Sequence, residues 1–291
     1  MSEASPLISI CIPTYNQTDL LRKTFESIAI QSFKNFEVVV TDDSDETGVK
    51  ELAGEYADKF KLVYYHNKSS LGSPANWNLG LNLASGKYIK MMHHDDWFAS
   101  ADSLAVFADA AVKEPDAVLF FCESQVLNHA DNSTSYNKPA KNLIAQLQRD
   151  PAVLFNHNFI GAPSAVMFRN DGQRFDEHLK YLVDVEFYIR LLRKTLRFVY
   201  ISKPLIVNTS NNPDQVTASS MNRETQLGEY SYLYNVVYRG KLPSLSLSRF
   251  FIYLFKHYRL HSLSEIAGFG FSPPKPEWYF RLLLLFAKKY S

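Results

Sequence analysis

Short apolar runs that alternate with amphipathic segments are the feature that most constrains this fold. Between the runs, apolar residues recur at helical spacing, as in Leu20, Leu21, Phe25 and Ile28. Strands that alternate with helices predict a mainly parallel, doubly wound α/β sheet. The runs predicted to be strands are Ile8 to Ile12, Phe36 to Thr41, Leu62 to Tyr65, Tyr88 to Met92 and Ala117 to Cys122.

After residue 123 this alternation weakens. Residues 124–158 are polar and then helical in pattern, with no clear strand. Ala165 to Phe168 and Phe198 to Ile201 are predicted strands, and Val183 to Lys194 is a predicted helix. From about residue 222 onward the pattern predicts helices rich in Tyr, Phe, Leu, Lys and Arg.

Composition excludes several classes of protein. The 291 residues are 46% hydrophobic and 21% charged, as in an ordinary soluble globular protein, and a net charge of +1 gives no field to recruit nucleic acid. Cys11 and Cys122 lie inside apolar runs, which predicts buried thiols in a reducing compartment. Since neither a signal-peptide pattern nor a stretch near the roughly 20 apolar residues of a membrane span is present, we predict a cytoplasmic protein.

Adjacent carboxylates follow the predicted strand Tyr88 to Met92. Asp95 and Asp96 come where this strand should leave its sheet. Two neighbouring carboxylates repel each other unless a cation neutralises them. Open α/β sheets bind their ligands at this edge. The sequence therefore predicts a hard divalent metal that holds a phosphate-bearing substrate, although the pair would also serve as caps for the helix near residue 102.

Polar residues also lie at the ends of two other predicted strands and at the start of a predicted helix. The first strand ends in the turn Pro13, Thr14, Tyr15 and Asn16, the second ends at Asp42 and Asp43, and Asp184 lies at a helix start. With Gln31 to Glu37 and Gly72 to Ile89, these motifs resemble the inverting family-2 glycosyltransferases of the GT-A fold, over about residues 7–210. The resemblance implies a Rossmann-like, mainly parallel sheet flanked by helices.

The resemblance assigns the nucleotide and the metal to the motifs just named. It implies that Asp43, or else Asp42, accepts a hydrogen bond from the base. An acceptor-only carboxylate suits the N–H of uracil or guanine, and a UDP-sugar is our first expectation. Mn²⁺ or Mg²⁺ would lie on Asp95 and Asp96, with His93 where the family has its first aspartate. The implied nucleotide-binding residues are Pro13, Thr14, Tyr15, Asn16, Asp42, Asp43, Asn76 and Asp95.

The resemblance also assigns the acceptor side. Inversion in one displacement needs a base for the acceptor hydroxyl, and Asp184 holds that position, with Glu186 as the second choice. The alternative is that Asp184 only caps its helix. Gly161 and Ser164 are weaker candidates for the acceptor pocket. Asn208 to Thr217 carries no histidine where family members have one, and the Gln-x-x-Arg-Trp motif of processive synthases is absent, which favours transfer of a single sugar.

The change to a helical pattern at about residue 222 places a domain boundary near residue 220. We predict a catalytic domain of residues 1–220, with a nucleotide-sugar half at about 7–123 and an acceptor half at about 124–220, and a helical region of residues 221–291. Two segments of that region, 249–259 and 279–289, mix aromatic residues and leucines with Lys and Arg. Such segments suit a bilayer interface at the inner face of the cell membrane, packing on the catalytic domain, or a homo-oligomer contact.

The function predicted from the sequence is metal-dependent, inverting transfer of one sugar from a nucleotide-diphospho-sugar. The acceptor would be a hydroxyl of a glycan or a lipid-linked molecule, in cell-surface polysaccharide synthesis. A sugar-nucleotide nucleotidyltransferase is an alternative, but it would need a Gly-rich, basic loop after the first strand. A non-catalytic carbohydrate-binding protein is another, but Asp95, Asp96 and Asp184 are all retained. A dehydrogenase is excluded because no Gly-x-Gly-x-x-Gly is present.

Overall fold

Alternating apolar side chains give the sheet two buried faces. In β1 (Ile8–Thr14), Ile8, Ile10 and Ile12 join the core on one face, and Cys11 joins the core on the other. Both faces are covered by helices, as expected for strands that are apolar on both sides. The computed structural model describes residues 5–210 and 220–289.

The remaining elements follow in chain order. The strands are β2 (Phe36–Asp42), β3 (Leu62–His66), β4 (Tyr88–Met91), β5 (Trp97–Phe98), β6 (Leu119–Asn128), β7 (Thr134–Asn137), β8 (Val166–Arg169) and β9 (Phe198–Ser210). The helices are α1 (Thr18–Ala29), α2 (Gly48–Glu55), α3 (Ala75–Leu83), α4 (Ser103–Lys113), α5 (Lys141–Leu147), α6 (Val183–Lys194), α7 (Arg223–Tyr238), α8 (Leu245–His257), α9 (Ser264–Gly268) and α10 (Glu277–Lys289). Short 3₁₀ turns span Pro151–Phe155 and Pro163–Ala165.

Strand order places a ligand-binding edge beside β1. The order is β3-β2-β1-β4-β8-β6-β9-β5, and β7 pairs with β6 outside this path. Strands β1 to β4 are mutually parallel, whereas β8 joins β4 in the antiparallel sense. β1 therefore lies between β2 and β4, where the winding of the chain reverses, and ligands of open α/β sheets bind at the carboxyl ends of such strands. The predicted α/β class, a mainly parallel sheet flanked by helices, is confirmed.

The prediction of no clear strand in residues 124–158 was wrong. β6 continues through residue 123 to Asn128, and β7 pairs with it antiparallel. β7 has the sequence Thr-Ser-Tyr-Asn and is largely exposed, so it carries none of the apolar alternation that marks a buried strand. β9 also extends well past Ile201, along the whole of β6, with an irregular register near Glu123.

The C-terminal helices share a hydrophobic core with the part of the chain that precedes them. The ring of Phe155 lies 5.6 Å from that of Tyr230 and 5.9 Å from that of Phe251, centroid to centroid. Tyr234 of α7 contacts Phe280 of α10 at 4.8 Å. Buried aromatic contacts of this kind are favourable beyond their buried area, so α7 to α10 pack firmly against the sheet side that carries α6.

The cysteines and the lengths of the helices bear on the cellular location that we predicted from the sequence. Cys11 and Cys122 are both buried free thiols, as predicted. Burial raises the pKa of the Cys11 thiol well above its usual range. Within residues 5–210 and 220–289, no helix is both long enough and apolar enough to cross a bilayer.

Candidate active site

A cavity of about 480 Å³ opens at the carboxyl ends of β1, β2 and β4. Of the predicted site residues, those in its lining are Pro13, Thr14, Tyr15, Asp43, Asn76, Asp95, Asp96 and Asp184. Other described residues complete the lining, namely Gln17, Ser70, Gly72, Ser73, Trp77, His93, His94, Ala162, Pro163, Lys180, Tyr181, Val183, Asn208 and Thr209. Motifs far apart in the sequence therefore meet around one space.

Five predicted site residues lie outside the described lining of this cavity. Asn16 lines a neighbouring cavity of about 510 Å³. Asp42 is buried, and its oxygens accept hydrogen bonds from the Ser44 N–H at 2.9 Å and the Tyr64 hydroxyl at 2.7 Å. Glu186 is buried and pairs with Arg190 at 2.7 Å. The other two make hydrogen bonds next to the cavity: Gly161 bonds to Asn158, which holds Asp184, and Ser164 bonds to His93.

Asp43 holds the loop that forms one wall of the cavity. Its carboxylate accepts from the Asn67 side-chain amide at 2.5 Å and from the N–H groups of Leu71 and Gly72 at 3.1 and 2.8 Å. Gly72 has φ +70°, a conformation that favours glycine. Because a carboxylate offers about four lone-pair positions, Asp43 retains one for a ligand.

His93, Asp95 and Asp96 form a cluster suited to a cation. One ligand atom from each lies within 4.8 Å of those of the other two. The Nε2 atom of His93 is buried and has no hydrogen-bond partner among the described residues. Burial lowers the pKa of His93 to about 4, so its imidazole is neutral and has a free lone pair. Two carboxylates and a neutral imidazole are a donor set that fits Mn²⁺ well, and these residues therefore fit a divalent metal.

Thr209 fixes the two carboxylates of this cluster. Its N–H donates to Oδ1 of Asp96 at 3.1 Å, and its hydroxyl donates to Oδ2 of Asp95 at 2.8 Å. Burial and the neighbouring Asp95 raise the pKa of Asp96 to about 7. Thr209 thus holds the two carboxylates in place next to each other. Residues 211–217 of the predicted histidine-free loop, Asn208 to Thr217, lie outside the described residues.

A buried lysine that was not predicted from the sequence links β4 to the 3₁₀ turn Pro163–Ala165. Lys90 is fully buried in β4, and its ammonium donates to the carbonyl of Met91 at 2.8 Å and to that of Ser164. Burial lowers the pKa of Lys90 to about 7. The hydroxyl of Ser164 in turn accepts from the His93 N–H at 2.9 Å. Ser164 therefore connects Lys90 to the backbone of His93, one of the three residues of the cation cluster.

Asp184 lies in the first turn of α6 with both carboxylate oxygens engaged. Oδ1 accepts from the Val185 N–H at 2.8 Å, and Oδ2 accepts from the side-chain amide of Asn158 at 2.7 Å. Asn158 also accepts from the Gly161 N–H at 3.1 Å, within a turn where Gly161 has φ +98°. This positive φ favours glycine, and a Cβ at Gly161 would also lie 2.5 Å from the side-chain Nδ2 of Asn137. Burial raises the pKa of Asp184 to about 6, which is suitable for a base near neutral pH.

Glu229 of α7 caps the amino end of α6. Its buried carboxylate accepts from the N–H groups of Lys180, Tyr181 and Leu182 at 2.7, 2.9 and 2.8 Å. Leu182 is the N-cap residue of α6, and Lys180 and Tyr181 lie in the turn just before it. A distant side chain therefore satisfies the backbone N–H groups of the turn that leads into this helix. Lys180 and Tyr181 both line the cavity, so Glu229 positions this wall and the start of the helix that carries Asp184.

We expect Glu229→Gln to lower the free energy of unfolding by about 1–3 kcal/mol, because an amide cannot accept all three N–H bonds and leaves a buried donor unpaired. Urea unfolding followed by circular dichroism measures this change. Glu224→Gln, an exposed change on the same helix, is the matched control and should leave stability within about 0.5 kcal/mol of wild type. Equal stability of the two variants would contradict the capping role.

Comparison with known proteins identifies the family. The sequence model described as "Glycosyl transferase family 2" matches residues 9–172, more than half of the chain. The chain belongs to glycosyl transferase family 2. An uncharacterized glycosyltransferase of Rickettsia typhi is 25% identical over 235 residues, which are 79% of this chain and 71% of the relative. An uncharacterized glycosyltransferase of Methanocaldococcus jannaschii is 27% identical over 214 residues, 72% of each chain.

Solved structures show the same fold. S. aureus TarS residues 1–349, in complex with UDP-GlcNAc, matches with a TM-score of 0.64 and 17% identity, over 88% of this chain and 74% of that one. The mannosyltransferase PcManGT of Pyrobaculum calidifontis, in complex with GDP-Man and Mn²⁺, matches with a TM-score of 0.58 and 14% identity, over 99% and 77%. The predicted GT-A fold and the assignment as a glycosyltransferase are confirmed.

Proposed function

We propose that this family-2 glycosyltransferase moves one sugar, with inversion, from a nucleotide-diphospho-sugar to an acceptor hydroxyl. One observation carries the proposal: a single cavity is lined both by the cation cluster of His93, Asp95 and Asp96 and by the isolated base candidate Asp184. The cation cluster would hold a metal that binds the diphosphate, and Asp184 would take the proton of the attacking hydroxyl.

The donor is proposed to be a UDP-sugar, with a GDP-sugar as the second choice. Pro13, Thr14 and Tyr15 line the cavity at the end of β1, and Asp43 retains a free acceptor position. That position suits the N–H of uracil or guanine. The two structural neighbours, TarS with UDP-GlcNAc and PcManGT with GDP-Man, both bind donors whose bases carry such an N–H. Asn76 is held by the Thr41 carbonyl at 2.9 Å and supports this wall.

Mn²⁺ or Mg²⁺ is proposed as the cofactor, held by Asp95, Asp96 and His93. A bound cation of this kind neutralises the diphosphate as it leaves. The unpartnered Nε2 of His93 favours Mn²⁺, which accepts nitrogen ligands more readily than Mg²⁺ does. The neighbour PcManGT contains Mn²⁺ together with its donor.

Asp184 is proposed as the general base. As the bond from the acceptor oxygen to the anomeric carbon forms and the bond from that carbon to the diphosphate breaks, Asp184 takes the hydroxyl proton. Glu186 is less suited, because its carboxylate is buried in a pair with Arg190 away from the described cavity lining. Asn158 orients the carboxylate of Asp184.

The acceptor is proposed to be a glycan or a lipid-linked sugar, used in cell-surface polysaccharide synthesis. Ala162, Pro163, Lys180 and Tyr181 line the cavity on the side of Asp184 and would contact it. In this proposal residues 1–220 form the catalytic domain, and residues 221–291 support it through Glu229.

A thermal-shift panel of nucleotide sugars with and without Mn²⁺ tests the donor assignment. We expect a UDP-sugar at about 100 times its Kd to raise the melting temperature by roughly 5–10 °C in the presence of Mn²⁺. Asp43→Asn should reduce this shift, because the acceptor for the base N–H is weakened, whereas the exposed change Asp45→Asn should not. A panel in which only adenine nucleotides stabilise the protein would contradict the proposed donor.

A further inference from the structure

One face of α10 is both apolar and exposed. Trp278, Leu282, Leu285 and Phe286 recur at helical spacing and are 58, 46, 62 and 52% exposed. The opposite face of the same helix is buried against α8 and the core, through Phe280, Leu283, Leu284 and Ala287. The exposed face is therefore not needed to build the core. Contiguous apolar surface of this kind marks an interaction site.

The C-terminal region that carries this face is rich in basic residues, which points to an anionic partner. Residues 239–289 contain nine Lys and Arg but only two Glu, in a chain whose net charge is +1. Arg281 and Lys288 are exposed on α10 itself. Glu277 is paired with Lys275 at 2.7 Å and with Arg281 at 3.5 Å, so the local acidic charge is already neutralised. The rest of the chain carries the compensating negative charge, so the basic charge is concentrated in this region.

We propose that this face of α10 docks on the surface of an anionic lipid bilayer, with the helix lying in the plane of the interface. Leu282, Leu285 and Phe286 would enter the acyl boundary, Trp278 would lie at the headgroup level, and Arg281 and Lys288 would contact anionic headgroups. A helix of 13 residues is too short to cross the hydrocarbon core, so it lies on the bilayer. Docking does not depend on the donor, the metal or the base, so its test is separate from that of the proposed function.

Co-sedimentation of the full chain with vesicles tests this docking. We expect binding to phosphatidylcholine vesicles that contain phosphatidylglycerol to be about tenfold tighter than binding to pure phosphatidylcholine. The double variant Leu285→Ser with Phe286→Ser should lose about tenfold or more on the mixed vesicles. Val112→Ser, an apolar residue 70% exposed on α4, is the matched control and should bind as the wild type does.

A charge variant separates the two contributions. Arg281→Glu with Lys288→Glu should remove the preference for anionic vesicles and leave the weak binding to phosphatidylcholine. Because all four changed side chains are exposed, each variant should keep the wild-type melting temperature and the wild-type transfer rate to a soluble acceptor. Absence of vesicle binding by the wild type would overturn the proposal. So would a concentration-dependent dimer, seen by analytical ultracentrifugation, that Leu285→Ser with Phe286→Ser abolishes while vesicle binding is unchanged.

Discussion

Asp184→Asn is expected to abolish sugar transfer while leaving donor binding intact. The change keeps the size of the side chain and an oxygen that accepts from Asn158 or Val185, but it removes the atom that takes the acceptor proton. General bases contribute about 10²–10⁴-fold to a rate, and we expect a loss in kcat of that order. Transfer of a radiolabelled sugar measures the rate, and the donor-induced thermal shift measures binding.

Two controls make this result specific. Asp171→Asn, an exposed change, should retain wild-type kcat. Glu186→Gln removes one partner of the pair with Arg190 and should lower stability, but transfer per folded molecule should persist. Near wild-type turnover in Asp184→Asn, or a loss confined to Glu186→Gln, would reject Asp184 as the base.

The pH profile provides a second signature of the same residue. The pKa of Asp184 is raised to about 6 by burial, opposed by its hydrogen bonds from Val185 and Asn158 and supplemented by the charge of Glu229. Only the ionised carboxylate accepts a proton, so kcat should fall about tenfold per pH unit below pH 6 and level off above it. Asp184→Asn should remove this acidic limb from the residual activity. An unchanged limb in the variant would assign the titration to another group.

The part of the site that could be predicted lies on strands whose ends are marked in the sequence. Apolar runs that stop at Asp43 and at Asp95 and Asp96 place these side chains at one sheet edge, because β1, β2 and β4 are parallel. The structure also brings Asp184 to the same cavity. Each strand and the carboxylates that follow it are adjacent in the sequence, so this pattern can be recognised from a single sequence.

The parts that could not be predicted depend on contacts between distant segments. Thr209 reaches Asp95 and Asp96 across 114 and 113 residues, and Glu229 reaches Lys180 across 49. Each is an ordinary polar residue in its own segment, and only folding reveals its partner. Lys90 is different, because a charged residue inside an apolar strand was itself a visible signal of a buried network.

Asp96→Asn is expected to lower transfer on the order of a thousandfold and to remove the effect of Mn²⁺ on donor binding, since a metal contributes several kcal/mol to such a step. The neutral amide is a poor ligand for a hard cation, while its oxygen still accepts from the Thr209 N–H. Metal-dependent thermal shifts with a UDP-sugar measure binding, and the radiolabelled assay measures transfer. The exposed change Asp58→Asn is the matched control.

The melting temperatures of the metal-free wild type and the metal-free Asp96→Asn variant distinguish a metal ligand from a structural residue. Asp95 and Asp96 are buried side by side, and they repel each other when no cation is bound. Asp96→Asn removes that repulsion and keeps the packing, so the variant without metal should melt at or above the wild-type temperature, even though it has lost activity. Mn²⁺ should then stabilise the wild type and not the variant. A variant that unfolds more readily than the wild type without metal, or that still gains stability from Mn²⁺, would mean that Asp96 is a structural residue and that the cation is held elsewhere.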